Sequence, residues 1–238
     1  MHRREVLSTM VALAAGAAGT SPLSQADVVH QDMPWQPGAA NAPQPPPSFR
    51  LQYLTETEFD AVGAIADRLI PADALSIGGR EAGCATFIDR QLAGNFGQAV
   101  ALYRLGPFYK GTPQQGTQEE HTPAQRYRIG LAALAAYCQK ALGKPFAALD
   151  AVAQDKILTA MDGGTLALGP VDSKMLFELV LQNVREGFLA DPIYGGNKAM
   201  ASWKMLGFPG ARYDFRPWMD KKGQKLAIAP TSMIDNDL

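Results

Sequence analysis

Helices with marked ends dictate what this chain can become. Thr55-x-x-Glu58 is a capping box, in which the threonine hydroxyl takes a free N–H of the first turn and the glutamate reaches back to the cap. Phe59, Val62, Ile65, Ala66, Leu69 and Ile70 follow at helical spacing until Pro71. A loop with Gly78-Gly79 leads to a second helix near Glu81–Leu92, stopped by Gly94, and then to a short segment, Gln98–Leu105. The stretch "GPFYKGTPQQGTQEEHT" is punctuated by glycine and proline and reads as a long surface loop. Thr122-Pro123 supplies an N-cap and an N1 proline for a helix through Leu142, closed by Gly143. Leu131, Ala132, Leu134, Ala135, Tyr137 and Cys138 make that helix small and apolar nearly all round, so it is expected to be central and largely buried. Val152–Met161 forms a shorter helix, broken by Gly163-Gly164. The last long helix is Asp172–Ala190, with Phe177, Val180, Leu181, Val184 and Phe188 on one face. No alternating strand pattern persists. The expected class is all-α, an irregular helical domain over residues 51–211.

The flanks differ from that domain. Residues 27–50 are rich in proline and lack periodicity, which reads as an extended, polyproline-like arm. A plain linker is one reading of it. An arm laid across a partner is the other, since Trp35 and Phe49 would otherwise be apolar groups left in water. Residues 212–238 also lack helical periodicity and read as an extended C-terminal tail. The first 26 residues have Arg3 and Arg4, an apolar run from Val6 to Ala18, and then small residues around Ser24-Gln25-Ala26. That order is an export signal, and paired arginines followed by Val6-Leu7 resemble the twin-arginine type that carries folded cargo. The apolar run is short of the roughly 20 residues of a permanent membrane span. Cleavage after Ala26 and a periplasmic location are expected, with a retained anchor as the alternative. Removing residues 1–26 changes the formal charge from −1 to −2. Neither value predicts nucleic-acid binding.

The chain is poor in the groups that perform chemistry. Behind the signal, His30 lies in the arm and His121 beside Glu119-Glu120 at a helix entrance. Neither is expected to act as the base for a nucleophile. The metal patterns C-x-x-C, H-x-x-x-H and H-E-x-x-H do not occur, nor does the haem attachment run C-x-x-C-H. No catalytic, cofactor-binding or metal-ligating residue is expected in this chain. Cys84 and Cys138 leave free thiols, an internal bridge and a bridge to another subunit all open. Glu186, just before Gly187, is either a surface charge or a support for the backbone of the next turn.

The last long helix runs into "DPIYGGNKAMASWKMLGFPGA", Asp191 to Ala211. This stretch is not a phosphate loop, because Asn197 separates Gly196 from Lys198 and no hydroxyl residue comes directly after the lysine. Asp191-Pro192 ends the long helix, since a proline drives the preceding residue out of the helical region. Gly195-Gly196-Asn197 makes a turn with left-handed positions, and Asn197 is expected to cap a short helix, Lys198–Leu206. Gly207-Phe208-Pro209-Gly210 closes it. The product is a rigid turn–helix–turn with Tyr194, Trp203 and Phe208 as aromatic edges, suited to docking a partner or to sealing the domain's own core.

This block resembles the gluconate 2-dehydrogenase subunit 3 family. Asp191, Pro192, Tyr194, Gly195, Gly196, Asn197, Trp203, Lys204, Gly207, Phe208, Pro209 and Gly210 carry the resemblance, and looser similarity runs back to Thr55 and the "ADRLIPAD" helix end. Lys198-Ala199 departs from it, standing where an Arg-Asp pair is common. The resemblance implies a non-catalytic small subunit of a membrane-associated sugar or sugar-acid dehydrogenase. The implied partners are a large subunit of the glucose–methanol–choline oxidoreductase type holding FAD, a multihaem cytochrome c that accepts the electrons, and the twin-arginine export machinery, which would read Arg3 and Arg4. The residues alone leave two other readings open. One is a stand-alone periplasmic helical enzyme using Asp191, Glu186 and Tyr194; the other is a binding module for a small ligand.

Overall fold

The caps at Thr55 and Thr122 are formed where the sequence puts them. In a computed structural model, residues 50–234 are described apart from 110, 116–119, 170 and 213–214. The signal, including Arg3 and Arg4, and the arm before Arg50 lie outside the described residues. Helix α1 is Glu56–Leu69, and Thr55 caps it reciprocally with Glu58. Helix α2 is Cys84–Ala93, α3 Pro123–Leu142, α4 Ala151–Asp162, α5 Ser173–Leu189 and α6 Ala201–Leu206. Among the described residues there are no strands, only two isolated bridges. The class is all-α, as the punctuation required.

Two helices depart from expectation for identifiable reasons. Helix α2 begins after Gly83 rather than at Glu81, because residues 78–83 are needed to fold the chain back on α1. Gly79 donates its N–H to Ile70 O at 2.8 Å, and a Cβ there would lie 2.6 Å from Ala66 O. Gly83 then enters the helix with φ +82°, a conformation that favours glycine. The second departure concerns α3, which is not the central helix. Tyr127, Gly130, Leu131, Leu134 and Cys138 are buried, but Ile129, Ala132, Ala135 and Ala136 face solvent. Alanine favours helix without demanding burial, so an alanine-rich surface says little about what covers it.

The centre is α5. It packs on α2 and α4, with α3 crossing at Gly130, where a Cβ would lie 2.5 Å from the Leu176 side chain. Phe177, Val180, Val184 and Phe188 are buried and Leu181 is half-buried, so the expected face is the core face. Each such side chain contributes on the order of 1.5–3 kcal/mol by leaving water. Tyr127 is fully buried and donates its hydroxyl to Asn183 Oδ1 at 3.0 Å.

One interior contact fixes the way into the domain. Asp89, on α2, is fully buried, and its carboxylate accepts the backbone N–H groups of Gln52, Tyr53 and Leu54 at 2.7–2.9 Å. From the other side Arg128 of α3 lies 4.5 Å over the Tyr53 ring, donates to Tyr53 O at 2.7 Å and pairs with Glu58. Tyr53 donates its hydroxyl to Ala124 O. The segment that receives the arm is therefore clamped between α2 and α3.

Candidate functional site

The turn block is shaped by what it must touch. Gly195 takes φ +96°, and Gly196 is buried against the end of α5. A Cβ on Gly196 would lie 2.0 Å from Gly187 O, and one on Gly83 would lie 2.5 Å from Gly195 O. No side chain fits at those separations. Gly187 is in turn pressed against Phe87, with 2.9 Å available for a Cβ. The paired glycines thus let a turn lie directly on the start of α2 and the end of α5. Lys198 donates its N–H to Ala82 O at 3.0 Å across the same seam.

Asn197 organises the rest, though not as the N-cap of a helix from Lys198 to Leu206. Lys198–Met200 is a separate 3-10 turn, and Asn197, Ala199 and Met200 all take left-handed φ of 47–55°. The α-helix starts only at Ala201. From its buried position Asn197 reaches over that turn, and its Oδ1 accepts the Ser202 N–H at 2.9 Å and the Ser202 hydroxyl at 2.8 Å. Its Nδ2 donates to Ala190 O at 2.9 Å. One carboxamide thereby caps α6 and ties off α5.

Trp203 faces inward. It is 6% exposed, donates Nε1–H to Leu189 O at 2.8 Å and meets the Phe208 ring edge-on at 5.2 Å. Its ring is packed inside the protein and is not presented as an aromatic edge. Gly207, at φ +71°, closes α6 by donating to carbonyls of its last turn.

Asp191 has a role that spacing could not foretell. Its Oδ1 accepts Ile193 N–H at 3.0 Å and Ser232 Oγ–H at 2.7 Å, and its Oδ2 accepts Met233 N–H at 3.0 Å. The tail is irregular and contains a 3-10 turn at Arg216–Trp218, yet it returns to the block. Thr231 donates to Pro209 O and accepts from Ala211 N–H, and Ser232 and Ile234 are buried. Gly210 takes φ +76° under that contact, with only 2.2 Å between a Cβ and Thr231 O.

The block turns other groups outward. Pro192 is buried, Lys204 is exposed, and Tyr194 and Phe208 are 49% and 47% exposed. Leu189, Ile193 and Leu206 are exposed beside them in sequence. Tyr194 and Glu186 share a shallow, open depression with Phe87, Gln91, Arg185 and Leu189, which Asp191 does not line. Glu186 does not support the turn backbone. Its carboxylate accepts from Gln182 and from Asn183, the partner of Tyr127. Of the three residues of the enzyme reading, Glu186 and Tyr194 line this depression, while the Asp191 carboxylate is taken up by Ile193, Ser232 and Met233.

His121 is exposed. Cys84 and Cys138 are free and buried, and burial pushes the Cys84 thiol up to about 12 and the Cys138 thiol up as well. Among the described residues there is no cluster of metal-ligating side chains, and no helix is long and apolar enough to cross a membrane. An apolar groove of about 400 Å³ lies between α1 and α3, lined by Ala61, Leu131, Leu134 and Phe146. On its rim, Glu58 pairs with Arg128, and Arg80 pairs with Asp67 and donates to Asp60 O.

A protein-family model described as gluconate 2-dehydrogenase subunit 3 matches residues 56–210. The match opens at α1 and closes at the last glycine of the turn block, leaving the returning tail outside it. No curated protein and no solved structure matches the chain.

Proposed function

The chain belongs to the gluconate 2-dehydrogenase subunit 3 family, and from that premise we propose that it is a non-catalytic small subunit that holds, stabilises and helps export the FAD-containing large subunit of such a dehydrogenase. The family's name makes it one subunit among several. The large subunit, of the glucose–methanol–choline oxidoreductase type, binds the flavin and the sugar acid and passes electrons to a multihaem cytochrome c. This chain supplies the surface on which it is held, in the periplasm, and the twin-arginine signal that takes both across.

One observation carries the reading. Asp191, Asn197, Ser202 and the Trp203 indole N–H are turned onto the block's own architecture, while Tyr194 and Phe208 remain half exposed on the frame they build. Rigid aromatics of this kind lose little entropy on binding and are the residues most often found as interface anchors.

Tyr194→Ala with Phe208→Ala is expected to weaken the complex with the purified large subunit by roughly 2 kcal/mol or more. Unchanged affinity in a well-folded double variant removes the docking role from the block. For export, Arg3→Lys with Arg4→Lys keeps the charge but loses the guanidinium geometry. Both subunits and the dehydrogenase activity are then expected to stay in the cytoplasm. Active large subunit in the periplasm of that strain would limit this chain to stabilisation.

A further inference from the structure

The tail does more than end the chain. It leaves the turn block at Ala211 and returns at Thr231, and Arg212 closes the base of the excursion by donating to Ala229 O at 3.4 Å and to Thr231 Oγ1 at 3.0 Å. The same guanidinium lies 5.2 Å over the Trp218 ring, which meets Phe215 edge-on at 6.3 Å. The described residues between, 215–229, form an irregular segment joined to the block by Arg212 and Thr231. Long irregular loops within compact domains are usually functional.

Charge changes at the same place. Residues 50–190 carry 13 basic and 15 acidic side chains, whereas residues 191–238 carry seven and five. Lys221, Lys222 and Lys225 near the loop's tip, with Lys198 and Lys204 in the block, are exposed, and none pairs with a carboxylate among the described residues. The loop also exposes Phe215 and Met219, at 44% and 64%.

We propose that segment 215–229 is the electrostatic part of the docking surface and that its occupant is an acidic face of the large subunit. The proposal rests on the reading of this chain as a partner-binding subunit. Charge complementarity selects the occupant: lysines around a contact steer encounter and exclude wrong partners, while stacked arginine and aromatic rings suit its centre. An anionic lipid surface would be attracted by charge alone. It would not require the Arg212 contacts that root the segment on the block.

The test is K221E/K222E/K225E in the full chain, titrated against the purified large subunit over a salt series. These lysines are exposed, so the melting temperature is expected to stay unchanged. Affinity at low salt should fall about tenfold or more, and the decline of affinity with salt seen in the wild type should flatten. Equal affinity and equal salt dependence in the variant overturn the proposal. Phe208→Ala, measured alongside, separates the two readings. If it weakens binding and the charge reversal does not, the block docks and the loop is idle. If wild type itself does not bind the large subunit, the subunit reading fails first. Sedimentation with phosphatidylglycerol–phosphatidylcholine vesicles that is lost in the triple variant, with partner affinity intact, would assign the loop to the membrane and overturn the proposal.

Discussion

Asn197 holds Ser202 by two bonds to one side-chain oxygen, 2.9 Å from the backbone N–H and 2.8 Å from the hydroxyl. The short helix α6 is thus capped from a residue outside its own turn, and its position is inherited from α5 through Ala190. A six-residue helix cannot sustain itself in water. It exists here because its first turn is tied to α5 and Trp203 is buried.

Trp203→Ala should therefore report on folding before it reports on binding. The loss combines a large buried ring with a hydrogen bond to Leu189 O, and about 3–5 kcal/mol is expected for truncating such a residue. Denaturant unfolding of the isolated chain measures it. A loss below about 1 kcal/mol would contradict the interior role assigned to this indole.

Gly196→Ala is a sharper probe, because it adds one carbon. The added Cβ would stand 2.0 Å from Gly187 O, backbone against backbone. Gly207→Ala is the control: its φ is +71°, but nothing lies within 4 Å of the added carbon. The first should prevent a native melting transition or lower it severely. The second should cost roughly 1 kcal/mol, the ordinary penalty of a left-handed alanine. Similar melting curves for the two would refute the seam between the turn and α5.

Asp89→Ala strips the buried acceptor from three N–H groups at once. Each unsatisfied donor costs on the order of 1–3 kcal/mol unless the segment peels away. Peeling is the expected response, with faster amide exchange at Gln52–Leu54 and roughly 3 kcal/mol lost overall. Exchange at those amides that matches the wild type would show that another group holds the segment.

The cysteines give a test by pH. With Cys84 held at about 12 by burial, its thiolate fraction at pH 8 is on the order of 10⁻⁴. Neither thiol should react with a disulfide reagent at pH 8 while the protein is folded, and both should react in denaturant. Cys84 would become reactive only as the pH approaches its raised value. Rapid labelling of the folded chain would contradict the buried sites.

Much of the fold was legible locally. Thr55 with Glu58, Thr122 with Pro123, and Gly143 each act within a few residues of themselves, so their spacing announced the helix ends. The turn block was legible as a rigid piece because its glycines and prolines restrict the backbone wherever they occur. What it was rigid against could not be read. Gly196 meets Gly187 through space, and Asp191 meets Ser232 41 residues on. Asp89 was invisible for the same reason: its partners are backbone N–H groups 35–37 residues earlier, which leave no side-chain signature. Trp203 and Phe208 looked alike in the sequence. Only the packing separated an inward ring from an outward one.

The clamp on Gln52–Leu54 has a mechanical consequence. Tension applied to the chain ahead of Arg50 enters the domain at these three residues and is borne by one carboxylate, one guanidinium and one tyrosine ring. Their bonds, to two different helices, lie between that tension and Thr55 at the first turn of α1. The load passes sideways into α2 and α3, the helices that carry Asp89 and Arg128, instead of along the axis of α1.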